Sequence, residues 1–317
     1  MDFKRWCSIE NHYQTATFNR WITKHPEVNG ASYKVTEKIH GANFSILTSP
    51  DGTLKFASRN NILEETDKFY GYKEIMSKYQ DIIDFLLKES KTMGEELQLY
   101  GEVFGGSIQK GVFYGKEKQF RWYSLRVNGT VIAPMESTLK LQEIGEHEAP
   151  VIGIFTIKKD LLELIERIDT KFNSKLTPVG YADENLCEGV VIVPYERNFY
   201  NQNSLLLIKK KNNEFIDKQR KPKVIKSIPE NIQNVFANYS SFVCEVRTND
   251  LFSKVGEFTE MKEISKFAKA YFEDVAVDYE KEFLTEWEEL SKADKQAVKK
   301  MIGTRIFIEL KESLSRA

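Results

Sequence analysis

The feature that most constrains this chain is a change of periodicity part-way along it. Up to about residue 211 the apolar residues fall in short runs bounded by turn signals, and beyond residue 229 they recur at helical spacing. In the first part, residues 35–47 and 53–58 flank Ser49-Pro50-Asp51-Gly52, whose side chains favour a tight turn, so a hairpin is expected. Residues 120–127 and 130–133 flank Asn128-Gly129, a pair that accepts positive φ cheaply and is the strongest short hairpin signal. Residues 97–104 look extended, and residues 189–194 and 204–208 are apolar enough for strands buried on both faces. Residues 67–89 place Phe69, Tyr72, Met76, Tyr79, Ile83 and Leu86 at helical spacing, and residues 160–172 form a short amphipathic helix. This much strand fits two sheets packed around a cleft.

The second part is expected to be helical, over residues 231–243, 261–272, 279–290 and 293–314. In the last of these, Val298, Ile302, Ile306 and Leu310 draw one apolar stripe. Between the parts, residues 209–226 hold eight basic residues against Glu214 and Asp217, and Pro222 and Pro229 punctuate the end of that run. A boundary there gives domains of residues 1–228 and 229–317. Residues 257–289 are rich in acid, so 46 Lys+Arg against 47 Asp+Glu leave a net charge of −1 that hides the basic run. A hydrophobic share of 41% and a charged share of 29% suit a soluble globular protein. Apolar runs such as residues 205–208 are too short to span a bilayer, and residues 1–10 lack the apolar stretch of a secretory signal. Cys7, Cys187 and Cys244 are scattered and form no Cys-x-x-Cys pair, which argues against a disulfide scaffold or a zinc cluster. A soluble intracellular protein with no membrane association is expected.

Chemistry concentrates in Glu37-Lys38-Ile39-His40-Gly41-Ala42-Asn43-Phe44. Lys38 leaves a predicted strand, and Gly41 allows the backbone to approach whatever it meets. A lysine attacks a phosphorus or carbonyl centre only when neutral, which requires burial or neighbouring cations. Taken alone, Lys-x-x-Gly is commonly a surface lysine before a turn. No G-x-x-x-x-G-K-S/T loop is present, so any nucleotide phosphates must be held by another device. Lys209 and Lys211 alternate across Lys210, so on a strand they share one face.

Residues 37–44 resemble the nucleotidyltransferase motif of the covalent-lysine superfamily, which holds ATP-dependent DNA and RNA ligases and mRNA capping enzymes. The His-Gly-x-Asn-Phe form is similar to RNA ligases of the T4 RNA ligase 2 type, which include the kinetoplastid RNA-editing ligases. Further signatures follow in the family's order: Ser58-Arg59, then Tyr100-Gly101-Glu102-Val103-Phe104-Gly105-Gly106, Trp122-Tyr123-Ser124-Leu125, Glu188-Gly189-Val190-Val191-Ile192 and Lys209-Lys210-Lys211-Asn212. The start, Ser8-Ile9-Glu10-Asn11-His12-Tyr13, resembles the family's opening, and the tail matches it in size and type. Each motif alone is weak, and six in register are strong.

The resemblance implies an α+β fold: an N-terminal nucleotidyltransferase domain of antiparallel sheets around an ATP cleft, plus a smaller all-helical C-terminal domain. It implies transfer of AMP from ATP to a lysine, then to an RNA 5′-phosphate, and sealing by a 3′-hydroxyl that displaces AMP. Lys38 is then the nucleophile. Glu37 accepts from the adenine amino group, Ile9 offers backbone contacts to that ring, and Ile39 and His40 complete the nucleotide-binding segment. His40 is equally readable as a structural histidine. Asn43 acts at the nick, Arg59 contacts ribose or the 5′-phosphate, Glu102 accepts from the ribose hydroxyl, and Tyr123 stacks on the adenine. Glu188 helps to hold Mg2+ (or Mn2+), and Lys209 and Lys211 face the α-phosphate, where their charge also bears on Lys38.

One departure stands out: family members usually carry Asp after the stacking aromatic, where this chain has Ser124. That leaves Trp122 or Phe120 as alternative stacking rings. The implied partner is RNA with 3′-hydroxyl and 5′-phosphate ends, in a nicked duplex, bound by a monomer. Sparse strand pattern after Pro229 argues against the OB-fold that follows the last motif in DNA ligases and capping enzymes. Those enzymes are the first alternative. A noncatalytic RNA-binding relative is the second, and the presence of Lys38, Glu188 and Lys211 speaks against it.

Overall fold

A computed structural model of the chain describes residues 2–157, 160–201, 204–215, 230–256 and 263–316. The fold is α+β and divides into two compact units, Met1–Glu214 and Phe215–Ala317. The boundary expected near Pro222 and Pro229, and the basic residues from 216 to 226, lie outside the described residues.

The first unit contains thirteen strands among its described residues: β1 Glu10–Asn11, β2 Ser32–Glu37, β3 Ala42–Thr48, β4 Leu54–Ser58, β5 Ile62–Leu63, β6 Leu97–Gly105, β7 Lys118–Val127, β8 Thr130–Val131, β9 Val151–Thr156, β10 Gly189–Pro194, β11 Tyr200–Asn201, β12 Ser204–Leu205 and β13 Ile208–Lys211. One sheet has the order β1-β13-β10-β2-β9 and the other β5-β4-β3-β6-β7-β8, while β11 and β12 pair alone. Every pairing is antiparallel except β1 on β13, where the start of the chain joins in parallel.

Both expected hairpins form. Gly52 (φ 85°) closes the β3–β4 turn, and Asn128 (φ 45°) and Gly129 (φ 78°) close β7–β8 with the positive φ that such turns need. The stretch 35–47, uniform in its apolar pattern, is two strands in different sheets: β2 ends at Glu37 and β3 starts at Ala42. Lys38 therefore lies on the crossing between sheets. Gly41 permits that crossing, because a Cβ there would sit 2.3 Å from the Val103 carbonyl oxygen. The run 204–208 also divides, into β12 and the start of β13. β9 has no counterpart among the expected strands.

Each sheet buries one face beneath helices. On the first, Tyr33, Val35, Val190, Ile192 and Ile208 pack with Phe18 and Trp21 of the helix Thr15–Lys24 and with Leu161 and Ile165 of Leu161–Arg167. That second helix is capped at both ends. The Asp160 carboxylate accepts from the Leu162 amide at 2.9 Å, and Lys210 Nζ donates to the carbonyls of Ile165, Glu166 and Ile168 at 2.9, 2.9 and 2.7 Å. The helix is shorter than the expected 160–172.

Under the second sheet, Phe44, Ile46, Leu99, Val103, Phe120, Trp122 and Leu125 meet Tyr72, Met76, Ile83 and Leu86. The helical stretch 67–89 is interrupted, as Phe69–Gly71, Tyr72–Met76, Ser77–Tyr79 and Gln80–Met93: Tyr70 (φ 44°) and Gly71 (φ 71°) take left-handed backbone at the first break, and Tyr79 (φ −122°, ψ 39°) leaves the helical region at the last. Its apolar face survives the break, since the spaced side chains still turn toward the sheet.

The second unit holds the helices Glu230–Ser240, Glu245–Val255, Ile264–Glu288 and Lys292–Arg316. Val298, Ile302, Ile306 and Leu310 are fully buried in its core, as the four-residue recurrence requires. Glu245–Val255 was not expected, and the two helices read at 261–272 and 279–290 are one, kinked at Phe283 (φ −128°, ψ 31°). Arg247 explains how that charged sequence packs. Its side chain is 3% exposed and forks to Asp274 and Asp278 at 2.7 Å each. Breaking a buried pair strands its partner charges, so Arg247→Ala is expected to cost about 3–5 kcal/mol. A lower urea midpoint for the helical unit checks this. Arg247→Lys, which lacks the planar fork, should recover only part of it.

Candidate active site

Glu188 is the electrostatic centre of the first unit. It precedes β10, is fully buried, and its carboxylate meets three basic side chains. Lys38 Nζ donates to Oε2 at 2.6 Å, His40 Nδ1 lies 3.2 Å from the same oxygen, and Lys211 Nζ lies 3.0 Å from Oε1. Burial is the strongest influence on this carboxyl and opposes ionisation. The charges of Lys38, Lys211 and His40 together outweigh it and hold the group well below the usual carboxylate range. An ionised carboxylate only accepts, so His40 Nδ1 carries the hydrogen of that contact.

Backbone pairing brings these groups together. β2 and β13 flank β10, with Glu37 opposite Val190 and Lys211 opposite Gly189. The Lys38 amide extends the first pairing by donating to the Gly189 carbonyl at 2.9 Å. Gly189 (φ 148°) is needed here, because a Cβ would lie 2.1 Å from the Lys210 carbonyl oxygen. Asn212 locks the far side. Its amide donates to the Glu188 carbonyl at 2.9 Å, and its Nδ2 donates to the carbonyls of Thr170 and Cys187 at 2.7 and 2.6 Å. The alternation of the lysines is realised, since Lys210 caps a helix on one side while Lys211 reaches Glu188 on the other.

The second sheet contributes a polar face. Asn43 on β3 stands directly opposite Glu102 on β6, and Asn43 Nδ2 donates to the Tyr123 hydroxyl. The β6–β7 register slips between Tyr100 opposite Ser124 and Gly101 opposite Trp122, so Tyr123 occupies a β-bulge with no partner residue. The bulge aims Tyr123 away from Trp122, whose indole is buried and donates to the Ile144 carbonyl. Phe120 and Trp122 both lie in the core beneath the sheet, while the Tyr123 ring stands 5.3 Å from Trp6 in a separate cluster with Ile9 at its edge. Burial, then Glu102, push the Tyr123 hydroxyl well above its ordinary value, with Arg59 opposing, which puts Glu102 and Arg59 in its surroundings. Ser124, paired with Tyr100 beside the bulge, is buried.

Glu37, at the end of β2, is 1% exposed and already held: Oε1 accepts from Ser174 Oγ at 2.5 Å and Oε2 from the Lys175 amide at 2.8 Å. Ile39 is buried beside it in sequence, and Ile9 leads into β1. Lys209 pairs with Asn11 and Val191 on β13. Ser174, Lys175, Asn212 and Tyr114 bear on these residues without having been singled out for a role from the sequence. Tyr114 accepts from the His40 amide at 2.9 Å through its hydroxyl. No sequence signal marks it, since its neighbours are ordinary loop residues. A groove of about 450 Å³ lined by Glu27, Ser32, Tyr195, Arg197 and Phe199 lies at the other end of β2, and none of the candidate residues lines it.

The RNA ligase family model matches residues 31–211, and the model for the T4 RNA ligase 2 C-terminal domain matches residues 226–306. The chain belongs to the RNA ligase family. Among curated proteins, the mitochondrial RNA-editing ligase 2 of Trypanosoma brucei brucei is 32% identical over 76 residues, covering 22% of this chain and 18% of that protein. Among solved structures, a Naegleria gruberi RNA ligase mutant with ATP and Mn is similar at a TM-score of 0.50 and 16% identity, covering 68% of this chain and 58% of that one. A second Naegleria mutant, with AMP and Mn, gives 0.50 and 17%, covering 67% and 57%. This family member thus spans less than a fifth of its curated relative and under two thirds of those solved chains. At such identities the structural likeness establishes the fold. Among the described residues, no helix is long and apolar enough to cross a membrane.

The donor set at Glu188 suits a divalent cation. Oε1 is buried and, although ion-paired with Lys211, receives no hydrogen bond, so it keeps lone pairs for a ligand. Mg2+ is commonly held by one or two carboxylates together with substrate phosphates, which is compatible with a single buried glutamate beside Lys38 and Lys211.

Proposed function

We propose that this protein is an ATP-dependent RNA ligase joining 3′-hydroxyl and 5′-phosphate ends. The observation that carries the proposal is the convergence of Lys38, His40 and Lys211 on the buried Glu188 carboxylate, within a chain of the RNA ligase family. In the first step Lys38 Nζ attacks the α-phosphorus of ATP, forming a P–N bond as the bond to pyrophosphate breaks. An RNA 5′-phosphate oxygen then takes the AMP, breaking the P–N bond, and a 3′-hydroxyl finally displaces AMP to leave a phosphodiester. A cation at Glu188, Mg2+ or Mn2+, supplies charge that offsets the negative charge building on the transferring phosphate.

The chain's own residues divide the remaining work. Lys38 must release Glu188 Oε2 before it attacks, and His40, on the same oxygen, keeps that carboxylate oriented while it does so. Lys211 and Lys209 neutralise the α-phosphate. Tyr123, raised by the bulge, supplies an aromatic plane for the adenine. Ile9 and Ile39 border the nucleotide, Glu37 accepts from the adenine amino group, and Glu102 and Arg59 meet the ribose and the 5′-phosphate. Asn43, tied to Tyr123, serves the nick. The substrate is nicked duplex RNA, the working unit is a monomer, and the helical unit supports sealing more than adenylylation.

The test is direct. Incubated with magnesium and ATP labelled at the α-phosphate, the protein should retain label through denaturation, and it should then seal nicked duplex RNA in preference to nicked DNA. Labelling by GTP alone, or none, would overturn the proposal. Sealing confined to DNA would move the protein to the DNA ligase branch.

A further inference from the structure

We infer that Ser174, together with the Lys175 amide, is a positioning pair that keeps Glu37 a pure hydrogen-bond acceptor and thereby sets the choice of adenine over guanine. The inference rests on the proposed nucleotide chemistry and adds to it residues outside the recognised motifs.

The pair sits in an irregular segment between Ile168 and Gly189 that is built to hold its shape. Asn185 is the hub. Its Oδ1 accepts from the Phe113 amide at 2.8 Å, and its Nδ2 donates to the Phe113 carbonyl at 2.7 Å and to Thr177 Oγ1 at 2.8 Å. Its carbonyl accepts from the Ser174 amide at 2.8 Å, and its own amide donates to Asn173 Oδ1 at 3.0 Å. Thr177 Oγ1 donates to the Ser174 carbonyl at 2.6 Å. Ser174 is 4% exposed, and its Oγ accepts from the Leu176 amide at 3.1 Å. With that oxygen accepting from Leu176, the hydroxyl hydrogen is directed to Glu37 Oε1, 2.5 Å away.

The arrangement matters because a buried carboxyl can take either of two hydrogen-bonding identities. Ionised, it offers about four lone-pair positions and no donor, whereas protonated it donates. Adenine presents an amino group at position 6 and guanine a carbonyl oxygen. An ionised Glu37 accepts from the first and repels the second, while a protonated one would satisfy guanine. Burial holds the Glu37 carboxyl above its ordinary value, and the Ser174 hydroxyl, the Lys175 amide and the Lys175 charge limit that rise without cancelling it, so losing the hydroxyl moves the group further toward the protonated form. Tyr114 and Cys187, the other ionisable groups that share its surroundings along with Glu188, are neutral or anionic and cannot assist. Two protein donors occupy two lone-pair positions and leave the others for the base. Base discrimination of this kind is strong because a mismatch leaves buried polar groups unpaired.

The experiment compares ATP and GTP in the self-labelling reaction, as the ratio of their kcat/KM values. Ser174→Ala should lower the ATP:GTP ratio roughly tenfold or more, the effect of one hydrogen bond to a charged group. Ser174→Thr, which keeps the hydroxyl, should restore it. A Ser174→Ala protein that loses rate equally with both nucleotides, or keeps the original ratio, overturns the inference and leaves the ligase proposal standing. An unaltered protein that takes no label from ATP removes that proposal first. Should Ser174→Ala fail to fold, inosine triphosphate answers the question on the intact chain, since it shares guanine's oxygen at position 6 and lacks its amino group at position 2. Rejection of inosine triphosphate alongside GTP supports a Glu37 that only accepts at position 6, the state the inference assigns to it. Acceptance of it as readily as ATP overturns them.

Discussion

Lys38→Ala protein, mixed with ATP and a divalent cation, should show no added adenylate by intact-mass spectrometry, whereas the unaltered protein should gain one. The expected effect is total, because the step forms a bond to Nζ and a truncated side chain offers no atom in its place. Lys38 is one of two lysines on the Glu188 carboxylate, and the neighbouring Lys211 is the natural candidate to substitute for it. The fold argues against substitution. Lys211 is anchored within β13 opposite Gly189, while Lys38 lies on the crossing between sheets, adjacent to the face that carries Asn43, Glu102 and Tyr123. The variant should still seal RNA whose 5′ end has been adenylylated beforehand, since that step breaks a bond to the AMP already on the RNA. Adenylate found on the Lys38→Ala chain would assign the nucleophile elsewhere and dissolve the proposed mechanism.

The site was legible in the sequence to the degree that its residues sit at strand ends. Lys38, Glu188 and Lys211 terminate or border short apolar runs, so the pattern that marks a strand also marks the residue delivered from it, while Glu102 lies within β6 and stands out as the one acid in its run. The alternation of Lys209, Lys210 and Lys211 carried the same information about faces, and Lys210 proves to cap a helix. What the pattern could not show is where one run becomes two strands. Residues 35–47 read as continuous because the break at Lys38–Gly41 is made by backbone approach to Val103, a contact 62 positions from Gly41 in the sequence. Tyr70 fails for a local reason, since nothing in its side chain announces positive φ. Ser174 and Asn185 were invisible because their partners are a carboxylate 137 residues away and a backbone amide 72 away. The helices of the second unit were legible where an apolar stripe repeats. They were misjudged around Arg247, whose charge reads as solvent-facing until Asp274 and Asp278 are placed against it.

Glu188→Gln tests whether the centre of the site is held by charge or by shape. Glutamine has nearly the same volume and keeps an acceptor, so packing is preserved while the negative charge goes. The Lys38, His40 and Lys211 side chains, 19%, 5% and 4% exposed, would then each lose the negative charge of Glu188 that they face. Removing one partner of a buried ionic group costs about 3–5 kcal/mol, so the urea midpoint of the N-terminal unit should fall near neutral pH, with self-labelling lost.

The acid dependence supplies an independent reading. The Glu188 carboxyl lies well below 4.5 in the folded protein and returns to about that value on unfolding. The unfolded chain therefore takes up the proton first, and this stabilisation is complete above 4.5 and is lost as the pH falls through the lower, folded value. The gap in stability between the two proteins should stay constant above pH 4.5 and narrow below it. A second substitution separates stability from chemistry. Adding Lys211→Met to Glu188→Gln removes one of the cations that faced the carboxylate, so it should restore part of the lost stability while leaving self-labelling absent. Equal stability of the unaltered and Glu188→Gln proteins at every pH would show that the three basic groups hold their places without the carboxylate, and that the site is organised by packing instead.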